Sequence, residues 1–218
     1  AEEAEPPAVR VAEAMLVGRQ SELGRLGECR ARAWSGRGQT AAILGEAGIG
    51  KTLLVEAVME DALAQGGRVL IGRSYESTQV LPFGPWVDAL RSGGLIDRIA
   101  RDPHLGGPFR SELARLLPQL ATGERSVGSA GEERLRLFEA LADIVERLAR
   151  EAPLLLVLED LHWADELSAR LLAFLSHRLA GWRVLVVLTA REEEVTAAPA
   201  LRQLLAELDR ESHPERIG

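Results

Sequence analysis

The residues best suited to chemistry lie in a glycine-rich loop that ends in a lysine and a threonine. Residues 45–52 read Gly-Glu-Ala-Gly-Ile-Gly-Lys-Thr, which fits the P-loop pattern G-x-x-x-x-G-K-[ST] at every fixed position. Glycines let the backbone turn tightly, so that successive N–H groups point at a bound anion. Lys51 can carry its charge to the β- and γ-phosphates of a nucleotide, and the Thr52 hydroxyl can ligate Mg²⁺. The predicted nucleotide-binding residues of the loop are Gly45, Glu46, Ala47, Gly48, Ile49, Gly50, Lys51, Thr52 and Leu53.

The sequence around this loop supplies the strand and the helix that a P-loop requires. Residues 40–44 read as a short buried strand, and residues 52–64 carry apolar side chains at helical spacing. The helix would present its positive N-terminal end to the same phosphates. Lys51 is the only lysine among 26 lysine and arginine residues. It stands where a compact point charge suits the task better than a planar guanidinium.

A second group of chemical residues follows the most apolar run of the chain. Residues 154–158 are Leu-Leu-Leu-Val-Leu, and Glu159 and Asp160 come next. Such a run favours a central strand covered on both faces, and ligands of parallel sheets gather where the strands end. This is the Walker B arrangement, in which one acid holds the Mg²⁺ shell and its neighbour orients the attacking water. By position Glu159 would hold the metal, with Thr52, and Asp160 would activate water. The two acids could exchange these roles, or could merely end a strand at the surface.

A third group ends another apolar run, residues 183–189. The Thr189 hydroxyl and the Arg191 guanidinium could contact the γ-phosphate, because a guanidinium matches phosphate geometry. The alternative is that one of the glutamates at positions 192–194 holds Arg191 at the surface. His162 either lines the same site or packs beside it. The remaining histidines show no metal-ligand spacing: His104, His177 and His213.

Length and composition favour one globular domain and exclude several classes. The chain has 218 residues, 46% of them apolar and 27% charged, which is ordinary for a soluble α/β protein. A net charge of −7 argues against direct nucleic-acid contact. The lone Cys29 permits no intrachain disulfide and predicts a small buried side chain. No run approaches the roughly 20 apolar residues of a membrane span. Residues 1–14 read as a flexible acidic leader unlike a signal peptide, so the cytoplasm is the default location.

The order of predicted elements defines the fold class. Apolar strands alternate with helices, which predicts an α/β protein with a mostly parallel, three-layer sheet. Residues 15–218 form one P-loop nucleotide-binding domain, with a helical, loop-rich insert at about 73–130. Within it, residues 122–131 are rich in Gly and Ser and predict a mobile loop. A long helix should follow over residues 132–150.

Four motifs resemble those of a known family. Residues 16–23, Leu-Val-Gly-Arg-Gln-Ser-Glu-Leu, resemble the VGRE-x-E-L opening of the STAND signal-transduction ATPases, which are relatives of the AAA+ proteins. Residues 45–52 and 158–165 are similar to the forms found in large ATP-binding LuxR-type transcriptional regulators and in the ATPase modules of some multidomain adenylate cyclases and kinases. Residues 188–191, Leu-Thr-Ala-Arg, match the T-x-R sensor strand of that class. Gln20 stands where the family usually has Glu.

This resemblance implies more than the residues alone do. It implies the sheet order 5-1-4-3-2, with the sensor strand between the Walker B strand and the P-loop strand. It also implies that Val17, Gly18 and Arg19 lie near the adenine and ribose of an adenine nucleotide. Gly218 lies near the point where a fifth strand, a helical lid and a winged-helix unit would follow in the family. We therefore expect a truncated fifth strand, no lid, and slow turnover.

Together these inferences predict the P-loop ATPase core of a signalling or transcriptional switch. It would bind ATP or ADP with Mg²⁺ and hydrolyse ATP slowly, with Lys51, Asp160 and Arg191 as the catalytic residues. Its other partners would be further domains of a longer protein and, with nucleotide bound, further copies of itself. One alternative is a scaffold that holds ADP and never turns over. Another is an AAA+ motor or loader that acts on DNA or protein.

Overall fold

The computed structural model describes residues 18–78, 81–102, 110–121, 129–211 and 214–217. The strands are β1 (Gln39–Gly45), β2 (Arg68–Arg73), β3 (Leu154–Glu159), β4 (Val184–Arg191) and β5 (Glu215–Ile217). The helices are α1 (Gln20–Trp34), α2 (Lys51–Ala64), α3 (Gly84–Ser92), α4 (Leu95–Arg101), α5 (Arg110–Leu116), α6 (Ala130–Glu151), α7 (Glu166–Ser176), α8 (Glu192–Val195) and α9 (Pro199–Glu211). In this described part, no helix is both long and apolar enough to cross a membrane.

The five strands form one parallel sheet in the order β2-β3-β4-β1-β5. This order confirms the predicted one: β4 lies between β3, which carries the Walker B acids, and β1, which leads into the P-loop. The fifth strand is three residues long. Its residues pair with Ala41–Ile43 of β1. All five carboxyl ends lie at one edge of the sheet, where β1, β3 and β4 end at Gly45, Glu159 and Arg191.

Apolar side chains cover both faces of the sheet, as the continuous apolar runs predict. On one face Val157 and Val187 pack with side chains of α1 and α2, such as Cys29 and Leu54. On the other face, alternate residues of β3 and β4 pack with the helices α6, α7 and α9. Cys29 is fully buried in this core. The two helical layers hold the sheet, and therefore its site edge, in a fixed geometry.

The predicted insert is helical where the structure describes it. Helix α3 packs directly on β2: a Cβ at Gly72 would lie 1.8 Å from the Pro85 carbonyl oxygen, so only glycine permits this approach. Of the predicted mobile loop, residues 122–128 lie outside the described residues. Ala130 and Gly131 belong instead to α6, which begins at a capping box formed by Ser129 and Glu132. The serine and glutamate side chains satisfy exposed N–H groups of the first turn, so the long helix starts two residues earlier than predicted.

Candidate nucleotide-binding site

The P-loop connects β1 to α2 and has the curvature that its glycines predict. Gly48 and Gly50 adopt φ values of 79° and 97°, a left-handed region that glycine enters without steric cost. At Gly45 an added Cβ would lie 3.1 Å from the Ile49 side chain, so this glycine lets the loop fold back on itself. The Ile49 N–H closes the turn on the Glu46 carbonyl at 3.4 Å. Each glycine of the motif therefore has a geometric reason here.

Lys51 is bent back over the loop. Its Nζ donates hydrogen bonds to the carbonyl oxygens of Gly45 and Glu46, each at 2.7 Å. Burial lowers the pKa of Lys51, while the charges of Glu193 and Asp160 oppose that shift. The ammonium group therefore lies within electrostatic range of the segments that follow β3 and β4. This is the position from which a lysine can reach a phosphate bound in the loop.

A carboxylate already contacts the backbone of the loop. The Ala47 N–H donates to Oε1 of Glu193 at 3.3 Å. The pKa of Glu193 is lowered by a hydrogen bond from its own backbone N–H, by the bond from Ala47, and by the charge of Lys51. An anionic side chain thus occupies the mouth of the predicted anion-binding loop. Because a carboxylate oxygen and a phosphate oxygen accept the same hydrogen bonds, this contact supports an anionic ligand.

Glu159, the predicted metal residue, is buried and has a partner that the sequence did not indicate. It is 5% exposed, and its Oε2 accepts a hydrogen bond from Nε of Arg73 at 2.5 Å. Arg73 is the last residue of β2 and lies directly opposite Glu159 in the sheet register. Ionic pairing with Glu159 raises the pKa of Arg73. The predicted sheet order could have led to this pair, because it makes β2 the neighbour of β3.

Asp160, the predicted catalytic acid, is attached to the sensor strand. Its backbone is left-handed, with φ 56°, and its N–H donates to Oγ1 of Thr189 at 3.0 Å. Thr189 is 3% exposed, so its hydroxyl links the carboxyl ends of β3 and β4. Backbone strain of this kind clusters at functional sites. The structure therefore brings Asp160 and Thr189 together. The charge of Asp160 also acts on Lys51, whose pKa it raises against the effect of burial.

Arg191, the predicted γ-phosphate sensor, is held by the chain itself. Its Nη1 donates to Oε1 of Glu194 at 2.9 Å, which is the alternative that the sequence left open. Its guanidinium carbon also lies 4.9 Å from the centre of the Trp163 ring, a cation–π contact. The backbone N–H of Arg191 donates to Nδ1 of His162 at 3.4 Å. A nucleotide would have to draw Arg191 from these contacts before it could act as a sensor.

His162 lies inside the site rather than at its surface. It is 3% exposed, and burial lowers the pKa of its imidazole. Because Nδ1 accepts from Arg191, the proton is on Nε2, which lies 3.9 Å from Oε1 of Glu194. Among the described residues this Nε2 has no hydrogen-bond partner. The ring lines a cavity of about 480 Å³ together with Trp163 and Glu194.

The residues assigned by resemblance to the adenine and ribose lie before α1. Val17 lies outside the described residues. Gly18 has φ 106°, and Arg19 immediately precedes α1. The Arg19 side chain donates to the Ile49 carbonyl at 3.0 Å and pairs with Glu22 at 2.8 Å. Arg19 therefore contacts the P-loop, and the assignment of the three residues to the adenine and ribose stays a prediction.

The oxygen donors expected to hold Mg²⁺ are Thr52, in the first turn of α2, with Glu159 and Asp160 at the end of β3. Among residues 18–217 with their gaps, no cluster of three or more His, Cys, Asp or Glu could hold a metal ion. Mg²⁺ usually keeps several waters and binds one or two carboxylates together with substrate phosphates. The Thr52 hydroxyl and the two carboxylates, beside a loop that binds phosphate, fit that requirement. A site in which protein ligands alone surround the ion is not needed.

The fold and this loop together define an AAA+ type P-loop ATPase domain, with the nucleotide-binding character that this class has. A family model described as AAA ATPase domain matches residues 15–188. The chain therefore belongs to the AAA ATPase domain family.

The chain is also similar to two other proteins. The chain is 28% identical over 219 residues to an uncharacterized protein of Rhizobium meliloti (strain 1021), a match that covers 89% of this chain and 20% of the relative. In fold it is similar to the crystal structure of Cdc6p from Pyrobaculum aerophilum, with a TM-score of 0.52 and 18% identity. That match covers all of this chain and 48% of the other. The chain thus spans a fifth of the one protein and about half of the other.

Proposed function

We propose that this chain is the nucleotide-dependent switch domain of a larger signalling or transcriptional regulator. It would bind an adenine nucleotide with Mg²⁺ and hydrolyse ATP slowly. One observation carries the proposal: Ala47 of the P-loop donates a hydrogen bond to Glu193, directly after β4, and the charges of Glu193 and Asp160 act on Lys51. Residues that bind phosphate and residues that could read its presence thus meet at one edge of the sheet. The match to a fifth of a longer relative supports further domains that supply signal and effector.

Each residue has a distinct role in this proposal. The loop amides from Gly45 to Thr52, with Leu53 behind them, hold the phosphates, and Lys51 turns from its carbonyl partners to the β- and γ-phosphates. Val17, Gly18 and Arg19 lie against the adenine and ribose. Asp160 orients the attacking water while its N–H is held by Thr189. Thr52 and Glu159, with Asp160 beside them, would hold Mg²⁺, and the ion would neutralise charge on the phosphates.

Two contacts at the site support slow turnover. Arg73 occupies an oxygen of Glu159, and Glu194 occupies the guanidinium of Arg191. A nucleotide with Mg²⁺ has to compete with both contacts. The same two contacts favour the second candidate function, a scaffold that holds ADP without hydrolysing ATP. If the chain is the switch domain, we expect copies of it to associate when ATP is bound. We expect this to take place in the cytoplasm.

Phosphate release from ATP by the purified chain separates the two candidates. The switch predicts slow, Mg²⁺-dependent release that Asp160→Asn abolishes, because the amide cannot accept a proton from water. The matched control is Asp97→Asn, which removes a carboxylate from α4, away from the site. Nucleotide binding without any turnover would favour the scaffold. A stable ring with ATP present, and turnover that depends on it, would favour a motor or loader instead.

A further inference from the structure

Three donor groups of the predicted phosphate site are occupied by the chain's own atoms. The Ala47 N–H donates to Glu193 at 3.3 Å. The Arg191 guanidinium donates to Glu194 at 2.9 Å. Lys51 donates to two carbonyl oxygens of its own loop. In an enzyme that binds the dianionic γ-phosphate at this point, two carboxylates are unfavourable neighbours, since like charges repel at short range.

One short element brings both carboxylates to the site. Helix α8 directly follows Arg191, the last residue of β4. Its second residue, Glu193, reaches across to the loop after β1, and its third, Glu194, turns back to Arg191. Helix α8, which continues the chain directly from β4, therefore contacts the P-loop through the Glu193 side chain. Any ligand that takes the place of the Glu193 carboxylate must break that connection.

We propose that Glu193 is a specificity-determining residue that lowers the affinity of the site for nucleoside triphosphate relative to diphosphate. The inference rests on the proposed function. The Glu193 carboxylate lies against Ala47 at the mouth of the loop, beside Lys51 and Arg191, where a γ-phosphate would bind. The β-phosphate is held deeper, by the amides nearest the N-terminus of the helix. A diphosphate can therefore bind with Glu193 in place, whereas a triphosphate has to displace it.

The electrostatic environment supports this competition. The Ala47 N–H and the charges of Lys51 and Arg191 contribute to lowering the pKa of Glu193, so its carboxylate is ionised at neutral pH. An ionised carboxylate and a γ-phosphate then compete for the same donors. Displacement of Glu193 would also remove the contact between the P-loop and α8, which lies between β4 and α9.

The test is calorimetric titration of the whole chain with MgADP and with MgATP, for wild type and three variants. Glu193→Ala removes the competing carboxylate, and Glu193→Gln removes its charge while keeping its shape. Glu192→Ala is the matched control, since it deletes the exposed glutamate next to it on α8. Far-ultraviolet circular dichroism verifies that every variant is folded.

We expect Glu193→Ala to bind MgATP about five-fold more tightly than wild type, the effect of one partly exposed charged contact. MgADP affinity should change less than about two-fold, and Glu192→Ala should match wild type for both nucleotides. Glu193→Gln should lie between wild type and Glu193→Ala.

Two results would overturn the inference while leaving the proposed function intact. In one, wild type and Glu193→Ala have the same ratio of MgATP to MgADP affinity. In the other, Glu193→Ala strengthens both nucleotides equally, which would make Glu193 a general source of repulsion. If wild type and all variants bind neither nucleotide, the proposed function fails and this inference fails with it.

Discussion

The ion pair of Arg73 and Glu159 gives the sharpest test of the site's architecture. It joins β2 to β3 at the carboxyl edge, with the Glu159 side chain 7% exposed and that of Arg73 50% exposed. Removing one member of a fully buried pair costs about 3–5 kcal/mol, whereas exposed pairs contribute about 0.2–1 kcal/mol. Since only one partner is buried, we expect Arg73→Met to lower the free energy of unfolding by about 2 kcal/mol. Methionine keeps most of the apolar stem.

A double-mutant cycle isolates the pair from the packing of its members. Urea unfolding of wild type, Arg73→Met, Glu159→Gln and the double variant, without nucleotide or metal, supplies the four free energies of unfolding. In the Glu159→Gln background no buried charge remains, so Arg73→Met should cost less than about 0.5 kcal/mol. The coupling energy should therefore be about 1.5 kcal/mol.

A coupling energy near zero would refute this reasoning. It would mean that water or another group satisfies Glu159 as well as Arg73 does. In that case Arg73 would not compete with Mg²⁺ for Glu159, and this contact would no longer be a reason for slow turnover. A second readout follows from the same pair: Mg²⁺ with ADP should raise the melting temperature of Arg73→Met more than that of wild type.

Three further predictions concern the frame that holds the site. Gly72→Ala should destabilise the chain by about 3 kcal/mol or more, since its Cβ would lie 1.8 Å from the Pro85 carbonyl oxygen. By contrast, Gly24→Ala in α1 meets no atom within 4 Å and should stabilise it by about 0.5–1 kcal/mol; urea unfolding measures both, and equal effects would contradict the packing of α3 on β2. The hydrogen bond from Arg98 is the main cause that lowers the pKa of Glu151 below 4.5. The pair therefore stabilises the fold above pH 4.5, and this stabilisation is lost as the pH falls through the pKa of Glu151 in the folded state. Glu151→Gln should therefore be less stable than wild type at pH 7, by less than about 1 kcal/mol, and equally stable in strong acid; a difference that grows towards acid pH would contradict this sign.

The fold was predictable because its signals are local and strong. The P-loop pattern at residues 45–52 requires a strand before it and a helix after it, and both are present as β1 and α2. The apolar runs at 154–158 and 183–189 are too continuous for anything but covered strands. The order of the strands came from the family resemblance, which the sheet confirms. The long helix α6 was predicted too, although its start was missed because the Ser129 capping box lies within the Gly- and Ser-rich segment.

The contacts between site residues were not predictable in the same way. Arg73 pairs with Glu159 only because β2 and β3 are neighbours in this register, and that is a tertiary fact about residues 86 positions apart. Glu193 reaches Ala47 across 146 positions, from a helix of four residues with no periodic signal of its own. For Arg191 the sequence allowed a phosphate or a glutamate as partner. In the structure the partner of Arg191 is Glu194, because that carboxylate is one helical turn away.

Calorimetric titration of the purified chain with MgADP tests the central claim most directly, because ADP avoids competition with Glu193. Wild type is compared with Lys51→Ala, and Arg134→Ala serves as control, since it deletes an exposed cation on α6. We predict Mg²⁺-dependent binding that Lys51→Ala weakens at least about 100-fold, as expected for loss of the cation that holds two phosphates, while Arg134→Ala binds as wild type does. Undiminished binding by a folded Lys51→Ala variant would contradict the assignment of this loop as the phosphate site.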